Sequence, residues 1–333
     1  MKEEKFSGKL ILLLAAFYVI AYLASLLYSK AVFFDADSYY HIAFSGFIKD
    51  FGLRHPFPWL QFSILKDNFA DKDVFFHLLI VPFLVLLKNP VAAGKLALIF
   101  FNLLLVTTYI FVLKKYLSAK LTALLLVLPL LSPIFTIYCL QLRSIHLAAV
   151  LGMLIIYFLI NKKPVLVLIL TFLYTLAHLS FILLVLIVVV SEALRYLYHK
   201  EFFAKNVASI IAGIALGILL HPNFPNNLMV IFLNGIATPL LAFSGNDIGF
   251  AGELLPQNIK HALLYNPVIF LSLFLVAWII FRKRRRIAMD TGIWFFCAIL
   301  YLALALRANR YWYEANLYYF IFLGAFIGEL EFT

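Results

Sequence analysis

The sequence predicts an all-α, polytopic membrane protein with about ten transmembrane helices, and two observations carry that reading. Of its 333 residues, 65% are hydrophobic and 13% charged, with a mean hydropathy of +1.01. Globular domains carry about 25% charged residues, so a soluble fold of this length has no room to hide so much hydrocarbon from water. The apolar residues also fall in runs of about 20, the length that crosses a bilayer as one helix. A net charge of +11 raises the question of nucleic acid. The basic residues are spread between the apolar runs, however, so they read as a topology signal and no nucleic-acid partner is expected.

Spans are expected near 10–29, 92–113, 119–139, 144–160, 164–178, 179–195, 207–221, 265–281, 291–306 and 315–330. The first follows Met1-Lys2-Glu3-Glu4-Lys5 with no small-residue cleavage site, and reads as a retained anchor. The pair around His178 reads as a hairpin of half-length helices. The stretch 74–88 is apolar but short and holds Pro82, so its status is decided by charge. With a cytoplasmic N-terminus and 74–88 lying in the interface, most Lys and Arg fall inside: Lys2, Lys5, Lys9, Lys114, Lys115, Lys120, Lys162, Lys163, Arg195, Lys200, Lys205 and Arg282 to Arg286. Were 74–88 to cross, the clusters at 114–115, 162–163 and 282–286 would move outside. The expectation is therefore an outer-face juxtamembrane helix at 74–88 and cytoplasmic termini. The chain reads as one multi-pass domain, 1–333, of the inner or plasma membrane. Its outer loops, about 31–91 and 221–264, would build the site. Cys139 and Cys297 lie in apolar runs and suggest neither a disulfide framework nor a metal site.

Chemistry-bearing residues concentrate on the outer side. Phe33-Phe34-Asp35-Ala36-Asp37-Ser38-Tyr39-Tyr40-His41 holds two carboxylates, two phenols and an imidazole just past the first span. One reading makes Asp37 the N-cap of a helix from Ser38 to Lys49, since Asp is a favoured cap. A cap explains one acid and not the rest. Further along, Asp71-Lys72-Asp73 precedes an apolar helix, and if Asp73 caps it His77 follows one turn later. The late loop carries Gly245-Asn246-Asp247 and Gly252-Glu253, with His221 and His261 on either side. Arg307 and Arg310 are spaced to share a helical face, and Arg310 with Glu314 has ion-pair spacing. Arginines at a membrane edge often only anchor a span, but arginine also grips phosphate with two parallel hydrogen bonds. Arg143, after Gln141, is a third such candidate, whereas His178 and Ser180 read as packing or hairpin residues.

These groups suggest carboxylates and arginines converging at the outer membrane surface on a substrate with a phosphorylated lipid tail. Carboxylates can activate an acceptor hydroxyl or amide and hold a divalent cation such as Mg2+ or Mn2+. Arginines or the cation would neutralise a departing lipid phosphate. The expected catalytic acids are Asp37, Asp35 and Asp73; the expected substrate contacts are Tyr40, His41, His77, Arg143, Arg307 and Arg310. Asp37, Asp71 and Glu253 are the expected metal ligands. No nucleotide-binding glycine motif, nucleophile elbow or zinc spacing is present.

The order of a first span, Asp-x-Tyr-Tyr-His, an apolar juxtamembrane segment and a many-span body resembles the C-type membrane glycosyltransferases (GT-C), which use polyprenyl-phosphate-linked sugars. Asp37-Ser38-Tyr39-Tyr40-His41 resembles the Asp-Pro-Tyr-Tyr-His stretch of oligosaccharyltransferase catalytic subunits. The resemblance implies that Asp37 is the first-loop catalytic or metal-binding acid. It likens Glu253 to the late-loop acid on the metal and Arg310 to the late arginine near the substrate. The chain departs from the pattern in three places. Ile42-Ala43 stands where an arginine often follows, the second outer loop offers Arg143 and no acid, and no Trp-Trp-Asp signature precedes the end at Thr333. Asp71 or Asp73 would stand in for the missing acid. The implied activity is a smaller polyprenyl-phosphate-sugar transferase acting on a glycan, lipid or protein acceptor. A lipid-linked saccharide flippase would instead place ionisable groups near the bilayer midplane and show repeat symmetry. A polymerase or ligase would lean on Arg and His in one long late loop.

Overall fold

The last helix of the chain is apolar on every side, and such a helix belongs in a core instead of at a lipid boundary. In the computed structural model, which describes residues 2–54, 61–243, 252–283 and 286–331, it runs from Trp312 to Glu331 and is buried along almost its whole length. The described residues form only helices. These are α1 (Lys2–Tyr28), α2 (Ala36–Phe51), α3 (Val74–Leu86), α4 (Pro90–Leu113), α5 (Ala119–Val127), α6 (Pro133–Cys139), α7 (Ile145–Ile160), α8 (Pro164–Ala177), α9 (Ile182–His199) and α10 (Ala204–Leu219). They continue with α11 (Asn227–Val230), α12 (Thr238–Phe243), α13 (Ile259–Tyr265), α14 (Pro267–Lys283), α15 (Met289–Arg307) and α16 (Trp312–Glu331). Around α16 pack α15 along its length, then α4, α5, α6, α7 and α14.

Among the described residues, four helices are long and apolar enough to cross a membrane: Ser7–Tyr28, Pro90–Leu113, Leu179–His199 and Met289–Arg307. The number rises to six if two bent pairs each count as one span. The expected straight crossing at 119–139 is one of these pairs, with α5 and its 3-10 extension meeting α6 at 93°. The expected span at 265–281 is the other, with α13 and α14 at 88°. Each bend falls at a proline, Pro133 and Pro267, which lacks the N–H that would carry the preceding helix onward. The half-length hairpin expected around His178 is half-length only on its first side, since α8 has 14 residues and the helix after it 21. With α7 and α10 at 16 residues each, these short helices rise only about 21–24 Å, against a hydrocarbon core of about 30 Å.

The two breaks are tied together. Ser132 Oγ donates to Asn266 Oδ1 at 2.8 Å, and Asn316 Nδ2 of α16 donates to the same oxygen at 3.1 Å. All three side chains are buried, so one amide oxygen satisfies two buried side-chain donors, and Asn266 Nδ2 donates in turn to Ala262 O near the end of α13. Near the other edge, the buried Lys95 of α4 donates to Leu27 O at 3.0 Å and Lys30 O at 2.5 Å, closing the open carbonyl end of α1. At the opposite end of the bundle, Glu192 accepts from Arg195 Nε and Asn206 Nδ2, so the buried charge pair of α9 is also anchored to α10.

α8 and α10 form the most intimate helix pair because α10 offers two glycines one turn apart. A Cβ at Gly213 would stand 2.7 Å from Thr171 Cβ and 2.8 Å from Leu168 O, and one at Gly217 would stand 2.5 Å from Thr175 Cβ. Gly46 of α2 faces open space. Gly213→Ala is therefore expected to lower unfolding stability by about 1–3 kcal/mol through overpacking. Gly46→Ala should be neutral or stabilising by up to about 1 kcal/mol, as alanine is the better helix former. Thermal unfolding of the two variants in detergent, followed by circular dichroism, separates these outcomes.

Candidate functional site

α2 is started by Asp35, two residues before the expected cap. Asp35 has the extended backbone of an N-cap (φ −120, ψ 148), and its Oδ2 accepts the Ser38 N–H at 2.8 Å. Ser38 Oγ donates to Asp35 Oδ1 at 2.7 Å and accepts the Leu142 N–H at 2.8 Å. Capping thus also docks the turn at 140–144 against the start of α2. Asp35 is structural in this arrangement, and Asp37, in the first turn, is released for other contacts. Gly52, at φ 82, ends the helix by returning its N–H to Ile48 O at 2.9 Å.

That docking places the Arg143 guanidinium between two carboxylates. Nη2 lies 2.7 Å from Asp37 Oδ2 and Nη1 lies 2.5 Å from Glu253 Oε2. Glu253 Oε1 faces Arg310 Nη1 at 3.8 Å. The turns carrying Glu253 and Arg310 are joined by Asn309 N–H donating to Leu255 O at 3.1 Å. The Tyr138 ring lies against Arg143, 5.7 Å from centroid to guanidinium carbon. Burial disfavours charge on both Arg143 and Glu253, yet each is held in its charged form. Glu253 and Asp37 raise Arg143 above its ordinary value, and Arg310 with Arg143 keeps Glu253 below the usual carboxylate range.

These groups open onto a cavity of about 410 Å³. Of the expected residues, Asp37, His41, Arg143, Glu253 and Arg310 line it. Lys72, Tyr138, His178, Ser180 and Glu314 also line it, and Leu179, Ile182, Leu183 and Leu304 give it an apolar wall. His178 and Ser180 had read as hairpin packing; a polar pair between two apolar runs was the signal available in the sequence. Ser180 N–H donates to His178 Nδ1 at 3.1 Å, and burial pushes the His178 ring down to about 3, so its neutral form keeps the proton on Nε2. Glu314 does not take up its expected pairing with Arg310. It is buried, with Oε2 lacking a hydrogen-bond partner, while Arg310 turns to Glu253.

Arg307 is exposed at the end of α15 and does not line the cavity, because the extended backbone of Ala308 breaks the helical face it was expected to share with Arg310. Tyr40 packs edge-on against His41 and His77 outside the cavity lining. Asp73 precedes α3 but makes no capping hydrogen bond. It is fully buried, and although burial alone would raise its carboxyl, the Lys72 ammonium 2.7 Å away holds it below the ordinary range. Behind the cavity lies a buried chain. His41 Nδ1 is 2.7 Å from His77 Nε2, His77 Nδ1 is 2.7 Å from Asp71 Oδ2, and Asp71 Oδ1 accepts the Asp73 N–H at 3.0 Å. His221 is used on the same segment, with Nε2 3.0 Å from Asp71 O. His261 stacks on Tyr265, and Asp247 lies outside the described residues.

The expected metal set of Asp37, Asp71 and Glu253 does not fit a divalent cation. Arg143 stands between Asp37 and Glu253, and Asp71 has its oxygens on Asp73 and His77. Among the described residues, no group of three or more His, Cys, Asp or Glu is placed to hold a metal ion. No protein-family model matches the chain, and no curated protein matches it.

The Arg143–Glu253 contact joins segments 110 residues apart and belongs to a charge network, so its members should couple energetically. A double-mutant cycle on Arg143→Ala and Glu253→Ala, read by unfolding in detergent, is expected to give about 0.5–3 kcal/mol of interaction. Additive effects of the two substitutions would mean that the contact is not made.

Proposed function

We propose that the protein is a membrane glycosyltransferase that moves a sugar from a polyprenyl-phosphate-linked donor to a glycan, lipid or protein acceptor at the extracytoplasmic face. The observation that supports this most is the make-up of the cavity. It combines Arg143, Arg310 and Lys72 with the carboxylates of Asp37 and Glu253 and an apolar wall of Leu179, Ile182, Leu183 and Leu304. A lipid-linked sugar phosphate has those three parts: an anion, a hydroxyl-rich headgroup and a hydrocarbon tail. Guanidinium groups suit a phosphate whose negative charge grows as the glycosidic bond breaks. Asp37, with Oδ2 on Arg143, orients the acceptor through its other oxygen.

In this reading the body is GT-C-like, with the short helices and bent pairs bringing the number of membrane-embedded segments towards ten. The basic clusters at 114–115 and 162–163 face the cytoplasm, and the cavity opens on the other side. Single cysteines test that sidedness. Asn68→Cys should react with an impermeant maleimide on intact cells, and Lys114→Cys only after permeabilisation. Labelling of residue 114 from outside would overturn the topology.

Activity is tested by incubating the purified protein with radiolabelled polyprenyl-phosphate and polyprenyl-diphosphate sugars. Asp37→Asn, which keeps the shape and removes the charge, is expected to lower transfer by about 10²-fold through lost orientation. Arg310→Gln should weaken donor binding by about tenfold or more, because hydrogen bonds to charged groups contribute about 1.5–3 kcal/mol. Translocation of the intact lipid with no sugar transfer would make the protein a flippase instead.

A further inference from the structure

We infer that His41 takes the proton of the acceptor hydroxyl, and that His77 and Asp71 set its ring in the tautomer able to do so. The inference rests on the glycosyl-transfer reading and adds the group that receives the proton. Its basis is the direction of the buried chain behind the cavity. Asp71 Oδ1 accepts the Asp73 N–H, and a carboxylate offers lone pairs only. His77 Nδ1, beside Asp71 Oδ2, therefore carries a proton. In a neutral imidazole the second nitrogen is then an acceptor, so His77 Nε2 receives the proton-bearing Nδ1 of His41. The His41 lone pair is left on Nε2, which has no hydrogen-bond partner among the described residues, on a ring that lines the cavity.

The surroundings keep this arrangement in place. The His41 ring is 5% exposed, with Phe76 edge-on at 5.1 Å and Tyr40 at 5.2 Å. Burial first, and then the Lys72 and Arg143 cations, hold it well below the ordinary imidazole value, so the resting ring is neutral and its lone pair available. Lys72, Asp73 and Arg143 are the charged groups around it, and Asp37 lies one helical turn earlier. Asp37 is the weaker choice of base, since Arg143 already occupies one of its oxygens and the carboxylate is half-exposed to water.

The step balances. As the acceptor oxygen bonds to the anomeric carbon, its O–H bond breaks and the proton passes to His41 Nε2. The anomeric carbon–oxygen bond to the lipid phosphate breaks with its electron pair going to the phosphate, beside the cavity's arginines. The new imidazolium donates through Nδ1 to His77, which in turn donates to Asp71, so the carboxylate stabilises the charge two groups away.

The test uses the full-length protein in detergent with the same radiolabelled polyprenyl-phosphate and polyprenyl-diphosphate sugars. His41→Gln should lower kcat by about 10²–10⁴-fold with the donor KM unchanged, and free imidazole should restore part of the loss in His41→Ala. Asp71→Asn is the isosteric probe of the chain. Its carbonyl must stay on the Asp73 N–H, which turns the NH2 towards His77 and reverses both tautomers. Transfer should then fall about 10²-fold or more although Asp71 does not line the cavity. Nitrogen-15 NMR of histidine-labelled protein should find His41 protonated at Nδ1, and at Nε2 in Asp71→Asn. Wild-type kcat in His41→Gln, or an Nε2-protonated His41 in the unaltered protein, overturns the inference. A wild-type protein that transfers no sugar overturns the glycosyl-transfer reading, and the NMR result then still decides the direction of the chain.

Discussion

Three segments far apart in the sequence meet at one guanidinium. Arg143 reaches Asp37 at the start of α2 and Glu253 in the turn before α13, and through Glu253 it comes within range of Arg310. Each partner sits in a turn or first helical turn with little regular structure of its own to hold it. The ion pairs are half-buried, where charge attraction is stronger than at an open surface and less screened by salt. They fix the cavity's polar wall as a unit, and the backbone contact from Leu142 to Ser38 sets the distance over which they act.

The rest of the body serves the same requirement in a less polar setting. A chain this apolar can leave few backbone groups unpaired, since an orphaned amide in hydrocarbon costs several kcal/mol. At the two broken helices Ser132 Oγ accepts the Phe135 N–H at the start of α6 and Asn266 Nδ2 donates to Ala262 O near the end of α13, while Asn266 Oδ1 joins both breaks to Asn316 of the central helix. Lys95 does the same for the end of α1. Ser132, Asn266 and Lys95 thus mark places where a helix stops or bends. Those near the cavity are different. Glu314 is buried with an oxygen lacking a partner among the described residues, and the His41 ring lies on the cavity wall.

Much of the site was legible because its residues are rare in such a chain. Asp37, His41, Arg143, Glu253 and Arg310 stand out against hydrocarbon, and all five line one cavity. Roles were harder to read than membership. Asp35 and Asp37 are equally good caps by residue type, and the choice between them depends on where the backbone leaves extended geometry. Arg307 and Arg310 have helical spacing, but the helix ends between them at Ala308. His178 was undervalued because a lone imidazole between apolar runs has the same sequence signature whether it packs or faces a cavity.

Composition and the length of the apolar runs by themselves determined the all-helical, membrane-type body, because burial of side-chain hydrocarbon is additive along the chain and needs no knowledge of neighbours. The apolar runs at 119–139 and 265–281 read as straight spans, and only the structure shows that they bend at Pro133 and Pro267 and that the two breaks share an amide. Only tertiary structure decided that short helices occupy several expected spans, that Arg143 rather than a cation lies between Asp37 and Glu253, and that His41, His77 and Asp71 form one chain. The contacts of His41 with His77 and of Arg143 with Asp37 and Glu253 join residues tens to more than a hundred positions apart. Hydrogen bonds and ion pairs act over about 3–4 Å, so which groups they join is fixed by packing and not by spacing along the sequence.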